Sequence, residues 1–157
     1  MRRLALIFFC VLSSAAWARA WKGIDPGTST RADVIEKFGP PSRTVKSGDK
    51  EILAYLGKQA IKGTTQTQFK VDPKTGVVER IDVFPGPKID KAAIENSYGK
   101  ACPPGPLPDS PCYLKKVTDD FRVYFHYPRL GLAIFFNPDG VTVNSFIFQP
   151  PRLPAKK

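Results

Sequence analysis

His126 is the one histidine in 157 residues. A nucleophile–histidine–acid relay would have to use it, with Ser110, Ser145 and Asp119 as its available partners. None of these stands in a sharp elbow of the kind that exposes a nucleophile. A single histidine offers no His–His pair, and it lies fourteen residues beyond the last cysteine, so no zinc-ligand spacing forms. Asp82, Asp119 and Asp120 are carboxylates of the right type for glycoside cleavage, but nothing pairs them across a cleft. No glycine-rich phosphate loop is present. The sequence therefore predicts no catalytic residues, no metal and no cofactor.

Cys102 and Cys112 flank a proline-rich stretch with no regular structure available to it. Their spacing is not C-x-x-C, which points to a structural disulfide and away from redox chemistry. Closing so short a loop is worth on the order of 2–3 kcal/mol.

Binding is the chemistry the sequence favours. Over residues 121–127, strand alternation puts Phe121, Val123, Phe125 and Tyr127 on one face and Arg122, Tyr124 and His126 on the other. Over 77–84, Ile81 and Val83 point inward while Arg80, Asp82 and Phe84 point out. Tyr55, Lys70 and Phe135 are expected to join the second face. The predicted binding set is Tyr55, Lys70, Arg80, Phe84, Arg122, Tyr124, His126 and Phe135. It mixes aromatic rings with cations, the types enriched at binding hot spots.

The elements that must carry this face can be read along the chain. Residues 1–20 read as a cleavable signal peptide. Arg2 and Arg3 are followed by an apolar run over 4–12 and by Ala18-Arg19-Ala20, with cleavage expected after Ala20. Cys10 falls in the discarded part, since the bulky Phe8 and Phe9 before it do not suit a lipoprotein cysteine. Removing Arg2, Arg3 and Arg19 takes the formal charge from +10 to +7. No later stretch is long and apolar enough to span a bilayer. A basic chain outside the cytoplasm points to an envelope protein partner or an anionic membrane surface, and not to nucleic acid.

Thr30 and Asp33 bracket a helix start, and Gly39 with Pro40 and Pro41 stops it. Residues 42–50 read as a polar connection. Strands are expected over 52–56, 64–71 and 77–84, the last two forming a hairpin around Asp72-Pro73-Lys74-Thr75-Gly76. A second helix runs from about Asp90 to Tyr98, ended by Gly99. Strands at 121–127, 132–136 and 141–148 follow, the last two joined by Asn137-Pro138-Asp139-Gly140.

This order repeats. Val34, Phe38 and Gly39 match Ile94, Tyr98 and Gly99 at an offset of 60. Ile81, Val83 and Pro85 match Phe146, Phe148 and Pro150 at an offset of 65. The expected fold is α+β: two tandem helix-plus-antiparallel-hairpin units, 21–87 and 88–150, with helices packed on one face of an antiparallel sheet. Residues 151–157 form a flexible basic tail.

The first unit resembles the small outer-membrane assembly lipoprotein family (SmpA/OmlA, BamE-like). The resemblance rests on Gly27-Thr28-Ser29-Thr30, on Val34 four residues after Thr30, and on Phe38-Gly39-Pro40-Pro41. Thr30 stands one residue farther from Gly27 than that family's pattern, and no lipid-anchor signal is found. Tandem units of this kind are similar to those of the β-lactamase inhibitory protein family. The resemblances imply a non-enzymatic periplasmic or secreted binding protein of the cell envelope, linked to outer-membrane protein assembly. They leave as the alternative an inhibitor of an exported hydrolase, acting through the turn at Ser47-Gly48-Asp49 or the disulfide loop.

Overall fold

Residues 20–151 are described by a computed structural model. The expected signal peptide, with Cys10, and most of the expected basic tail lie outside the described residues.

Local sequence sets the two helices. The α1 helix (Arg31–Phe38) begins at Thr30, whose side chain accepts from the Asp33 backbone N–H while the Asp33 carboxylate accepts from Thr30 N–H. This reciprocal capping box satisfies two otherwise orphaned donors. The α2 helix (Lys91–Tyr98) is capped by Asp90, which accepts from Ala93 N–H. Each helix is eight residues long and buries a single side chain, Val34 or Ile94. Helices this short are marginal by themselves and depend on what they pack against.

The strands are β1 (Arg43–Ser47), β2 (Lys50–Leu56), β3 (Thr64–Val71), β4 (Val78–Pro85), β5 (Leu114–Val117), β6 (Val123–Tyr127), β7 (Leu132–Phe136) and β8 (Val143–Phe148). They form one eight-stranded sheet in the order β1-β2-β3-β4-β8-β7-β6-β5, antiparallel throughout. This corrects the expected fold class. The molecule is a single continuous β-sheet carrying two short helices, not two tandem helix-plus-hairpin units. The difference lies in β1, where the sequence reads as connection, and in β5, over which it predicts no element. Every residue of both is exposed, so neither carries the alternation that marks a half-buried strand.

The order of one helix followed by four strands nevertheless occurs twice along the chain. The halves meet at β4 and β8, where Ile81 pairs with Phe148, Asp82 with Ile147 and Val83 with Phe146. At an offset of 65 Asp82 lies across from its own counterpart, Ile147, while Ile81 and Val83 each lie across from the counterpart of the other. The seam thus has the pairing of a local two-fold axis through Asp82 and Ile147.

The core lies between the sheet and the helices. Leu53, Phe69, Ile81, Phe148, Leu132 and Tyr127 run as one row across the sheet, each at most 4% exposed. Two aromatic groups anchor the helices. Phe38 stacks on Phe69 at 5.7 Å and meets Tyr55 edge-on at 6.0 Å. Tyr98 lies 5.9 Å from Tyr127, which meets Tyr113 edge-on at 5.7 Å. The Tyr55 hydroxyl donates to Gly39 O at 2.8 Å, and the Tyr127 hydroxyl to Gly99 O at 2.9 Å. Each phenol therefore ties a strand to the glycine that ends a helix.

Candidate functional site

The face opposite the helices carries Ala54, Gln68, Asp82, Ile147, Ala133, His126 and Leu114 along its middle row, by register. On one side of that row stand Phe84, Ser145, Phe135 and Tyr124. On the other stand Lys70 and Arg80.

Seven of the eight predicted binding residues belong to this face, and Tyr55 does not. It is fully buried in the helix-side core, paired by register with Thr67. Residues 52–56 are apolar on both faces, so the sequence carried no parity signal for Tyr55. The 121–127 reading is also corrected. The β6 strand starts at Val123, and Phe121 leaves the apolar face for a turn in which it is 87% exposed with φ 60°.

Arg80, Phe84, Arg122 and Phe135 line a single cavity of about 290 Å³, floored by Asp82 and Ser145. A second cavity of about 440 Å³ continues toward Phe121 and shares Arg122, Phe135 and Asn144 with the first. Lys70 belongs to a third, on the other flank of Arg80. Tyr124 enters none of these, but its ring stacks on Phe135 at 4.7 Å. His126 lies farther along the face, across from Ala133 and Leu114.

Asp82 organises the cations. It is 6% exposed and accepts from Arg80 Nε at 2.5 Å and Nη2 at 3.1 Å, with Lys70 Nζ at 3.4 Å. A carboxylate this covered is tolerable because it is paired and hydrogen-bonded. The fork fixes the guanidinium plane. Arg122 is held differently. Its Nε donates to Asp120 at 2.7 Å, and its guanidinium lies 5.4 Å above the Phe135 ring. The Thr118 hydroxyl and Arg122 hold the Asp120 carboxyl below its usual range. Burial, then the Lys116 charge, lowers the pKa of His126, so its ring is neutral near pH 7.

Sequence reasoning passed over Phe121, Asn144 and Ile147 as parts of this surface. Alternation put Phe121 on the apolar face, but it lies outside β6 in a turn, where the strand period does not apply. Asn144 stands at an irregularity between β7 and β8, where the two-residue period breaks. Among the described residues, no group of three or more His, Cys, Asp or Glu side chains is placed to hold a metal. The Cys102–Cys112 disulfide is formed, with the Cα atoms 4.9 Å apart. Among the described residues, no helix is long and apolar enough to cross a membrane.

Fold and site together define a predominantly β protein with one sheet face covered by helices and the other lined by paired cations and aromatic rings. No family model and no curated protein matches the chain. Among solved structures it is similar to a DUF4309 family protein, YjgB, from Bacillus subtilis. The TM-score is 0.52 at 16% identity, covering 82% of this chain and 83% of that one. At that identity the likeness is one of fold.

Proposed function

We propose that this is a non-enzymatic binding protein of the cell envelope, exported with cleavage after Ala20, that engages a partner protein through the strand face opposite its helices. One observation carries the reading. Arg80, Phe84, Arg122 and Phe135, brought from distant parts of the chain, line one cavity. Arginine and aromatic side chains are the residue types enriched at protein interfaces and their hot spots. The resemblance of residues 27–41 to the small outer-membrane assembly lipoproteins supports an envelope partner. The basic charge of the chain also suits an anionic membrane surface nearby.

The test compares cross-linking of the mature protein in envelope extract with that of Phe84→Ala and Arg122→Glu. A discrete partner lost in both variants supports the reading. The same partner captured equally by all three proteins refutes it.

A second reading, inhibition of an exported hydrolase, draws on a different observation. Arg129 donates to the carbonyls of Pro108 and Leu107 and pairs with Asp109 at 2.9 Å, so the disulfide loop is tied at three points. A loop ordered in advance loses less entropy on entering an active site. Absence of inhibition across a hydrolase panel at micromolar protein removes this reading.

A further inference from the structure

The outer edge of β5 differs from the rest of the surface, and its hydrogen-bonding polarity follows from register. Thr118 N–H donates to Arg122 O, toward β6. In an antiparallel pair, residues point their backbone groups alternately toward and away from the neighbour. Lys116 and Leu114 therefore bond to β6, and Lys115 and Val117 point outward. Tyr113, next in that outward row, is already used: its N–H donates to Lys100 O at 3.1 Å and its carbonyl accepts from Cys102 N–H at 2.9 Å. The segment before the disulfide thus begins a ninth position in the sheet, in parallel sense at Ala101 and Tyr113. Among the described residues no strand continues it along Lys115 and Val117.

We infer that the open β5 edge, from Lys115 to Val117, accepts an extended acidic segment of another protein as an added strand. Two observations select this occupant. Lys100, Lys115 and Lys116 flank the edge and form no ion pair among the described residues. Three of the large exposed apolar side chains, Leu114, Val117 and Phe121, lie on this one hairpin, at 40%, 57% and 87% exposure. A second copy is the wrong occupant: two-fold antiparallel pairing through the outward residues sets Lys116 against Lys116, or Lys115 against Lys115, of the other copy, and like charges directly opposite are destabilising. The lysines block self-association, as edge lysines commonly do, and a strand bearing glutamate or aspartate turns the same charges into attraction. Strand addition of this kind draws affinity from main-chain bonds and specificity from side chains. Phe121 also lines the second cavity of the sheet face, but Lys100, Lys115, Lys116 and Val117 line neither that cavity nor the one on which the proposed function rests, so the edge itself is tested independently of that function.

The probe is a capped twelve-residue peptide in which glutamate alternates with valine and threonine, compared with one carrying lysine in place of glutamate. With the full mature protein, the acidic peptide is expected to bind about tenfold or more tightly than the basic one. On binding, it should slow amide exchange at Lys115 and Val117 but not along β1. Lys115→Glu with Lys116→Glu should reverse the preference. Val117→Pro removes an outward N–H while leaving the bonds to β6, and should abolish binding. Phe84→Ala, on the sheet face, should leave it unchanged. Equal affinity for the two peptides, or protection confined to another edge or to the face, overturns the inference. So does undiminished binding by Val117→Pro. If Val117→Pro loses its fold by circular dichroism, the exchange map of the wild-type protein decides.

Discussion

Asp82 on β4 pairs directly with Ile147 on β8, and each occupies the place of the other in its own half of the chain. One position thus holds a covered carboxylate in the first half and an apolar side chain in the second. The carboxylate pairs with both Arg80 and Lys70, which makes the seam the anchor of the cationic face.

Replacing Asp82 by alanine removes the one carboxylate that holds both cations. Arg80 and Lys70 keep 35% and 29% of their side-chain surface in water, so solvent screens much of the loss. The expected cost is about 1–2 kcal/mol, below that of a fully buried pair. Urea unfolding measures it, and an unchanged midpoint would show that the ion pairs contribute nothing to stability.

The two phenols that bind helix-ending glycines should behave alike. Tyr55→Phe and Tyr127→Phe are each expected to cost about 1 kcal/mol, the net worth of one hydrogen bond. Burial raises the pKa of both phenols. Burial, then the hydrogen bond to Glu95, pushes Tyr113 up to about 12. A raised folded pKa gives stability that is whole below the ordinary tyrosine value near 10 and is lost as pH climbs above it. Thermal melts from pH 9 to 12 should show falling stability, less steeply in Tyr127→Phe.

His126 works in the opposite direction. Its folded pKa lies below the ordinary value of 6.5. Protonation then favours the unfolded chain, which takes up the proton first. Stability is complete above about pH 6.5, declines as pH falls below it, and levels off once the folded ring is charged. The single histidine gives one imidazole signal for a nuclear magnetic resonance titration. Lys116→Gln should move that signal's midpoint upward, and His126→Gln should flatten the acid limb of the stability curve.

Gly131 has φ 57°, and a Cβ there would stand 1.9 Å from Gln149 O. Both backbone strain and a backbone clash oppose any side chain. Gly131→Ala is expected to lose more than about 2 kcal/mol, measured by urea unfolding. Gly140 has φ 67° with nothing near its Cβ, so Gly140→Ala should cost about 1 kcal/mol through strain alone.

Breaking the Cys102–Cys112 bridge by paired substitution with serine is expected to cost about 2–3 kcal/mol. The Arg129 contacts to Leu107, Pro108 and Asp109 should keep part of the loop in place. Limited proteolysis of the double variant, with and without Arg129→Ala, separates the two restraints. Faster cleavage only when both are removed is the expected result.

Much of the architecture was legible from residue order. Caps at Thr30 and Asp90, stops at Gly39 and Gly99, and the turns at Asp72 and Asn137 are local signals that need no partner. Buried strands such as β3 and β6 announce themselves by alternation, because one side of each meets the core. The matched residues at offsets of 60 and 65 led to an expectation of two tandem helix-plus-hairpin units, whereas the strands of both halves join in one sheet. The strands β1 and β5 stayed hidden because both of their faces are wet. Tyr55 was assigned to the wrong face because its strand is apolar on both.

Taken alone, the amino-acid order determined which segments begin, end and alternate, since capping, turn chemistry and the two-residue strand period act over a few neighbours. It also singled out the pairs Arg80 with Phe84 and Arg122 with Tyr124 as members of one face. Tertiary structure decided how the segments join: β4 beside β8, Asp82 beneath Arg80 and Lys70, Phe135 under Arg122, and Lys115 on an open edge. Those relationships depend on strand pairing between residues more than sixty positions apart in the case of Asp82 and Ile147, where no local period reaches. Burial and hydrogen bonding across the whole sheet select that pairing, and with it the surface available to a partner.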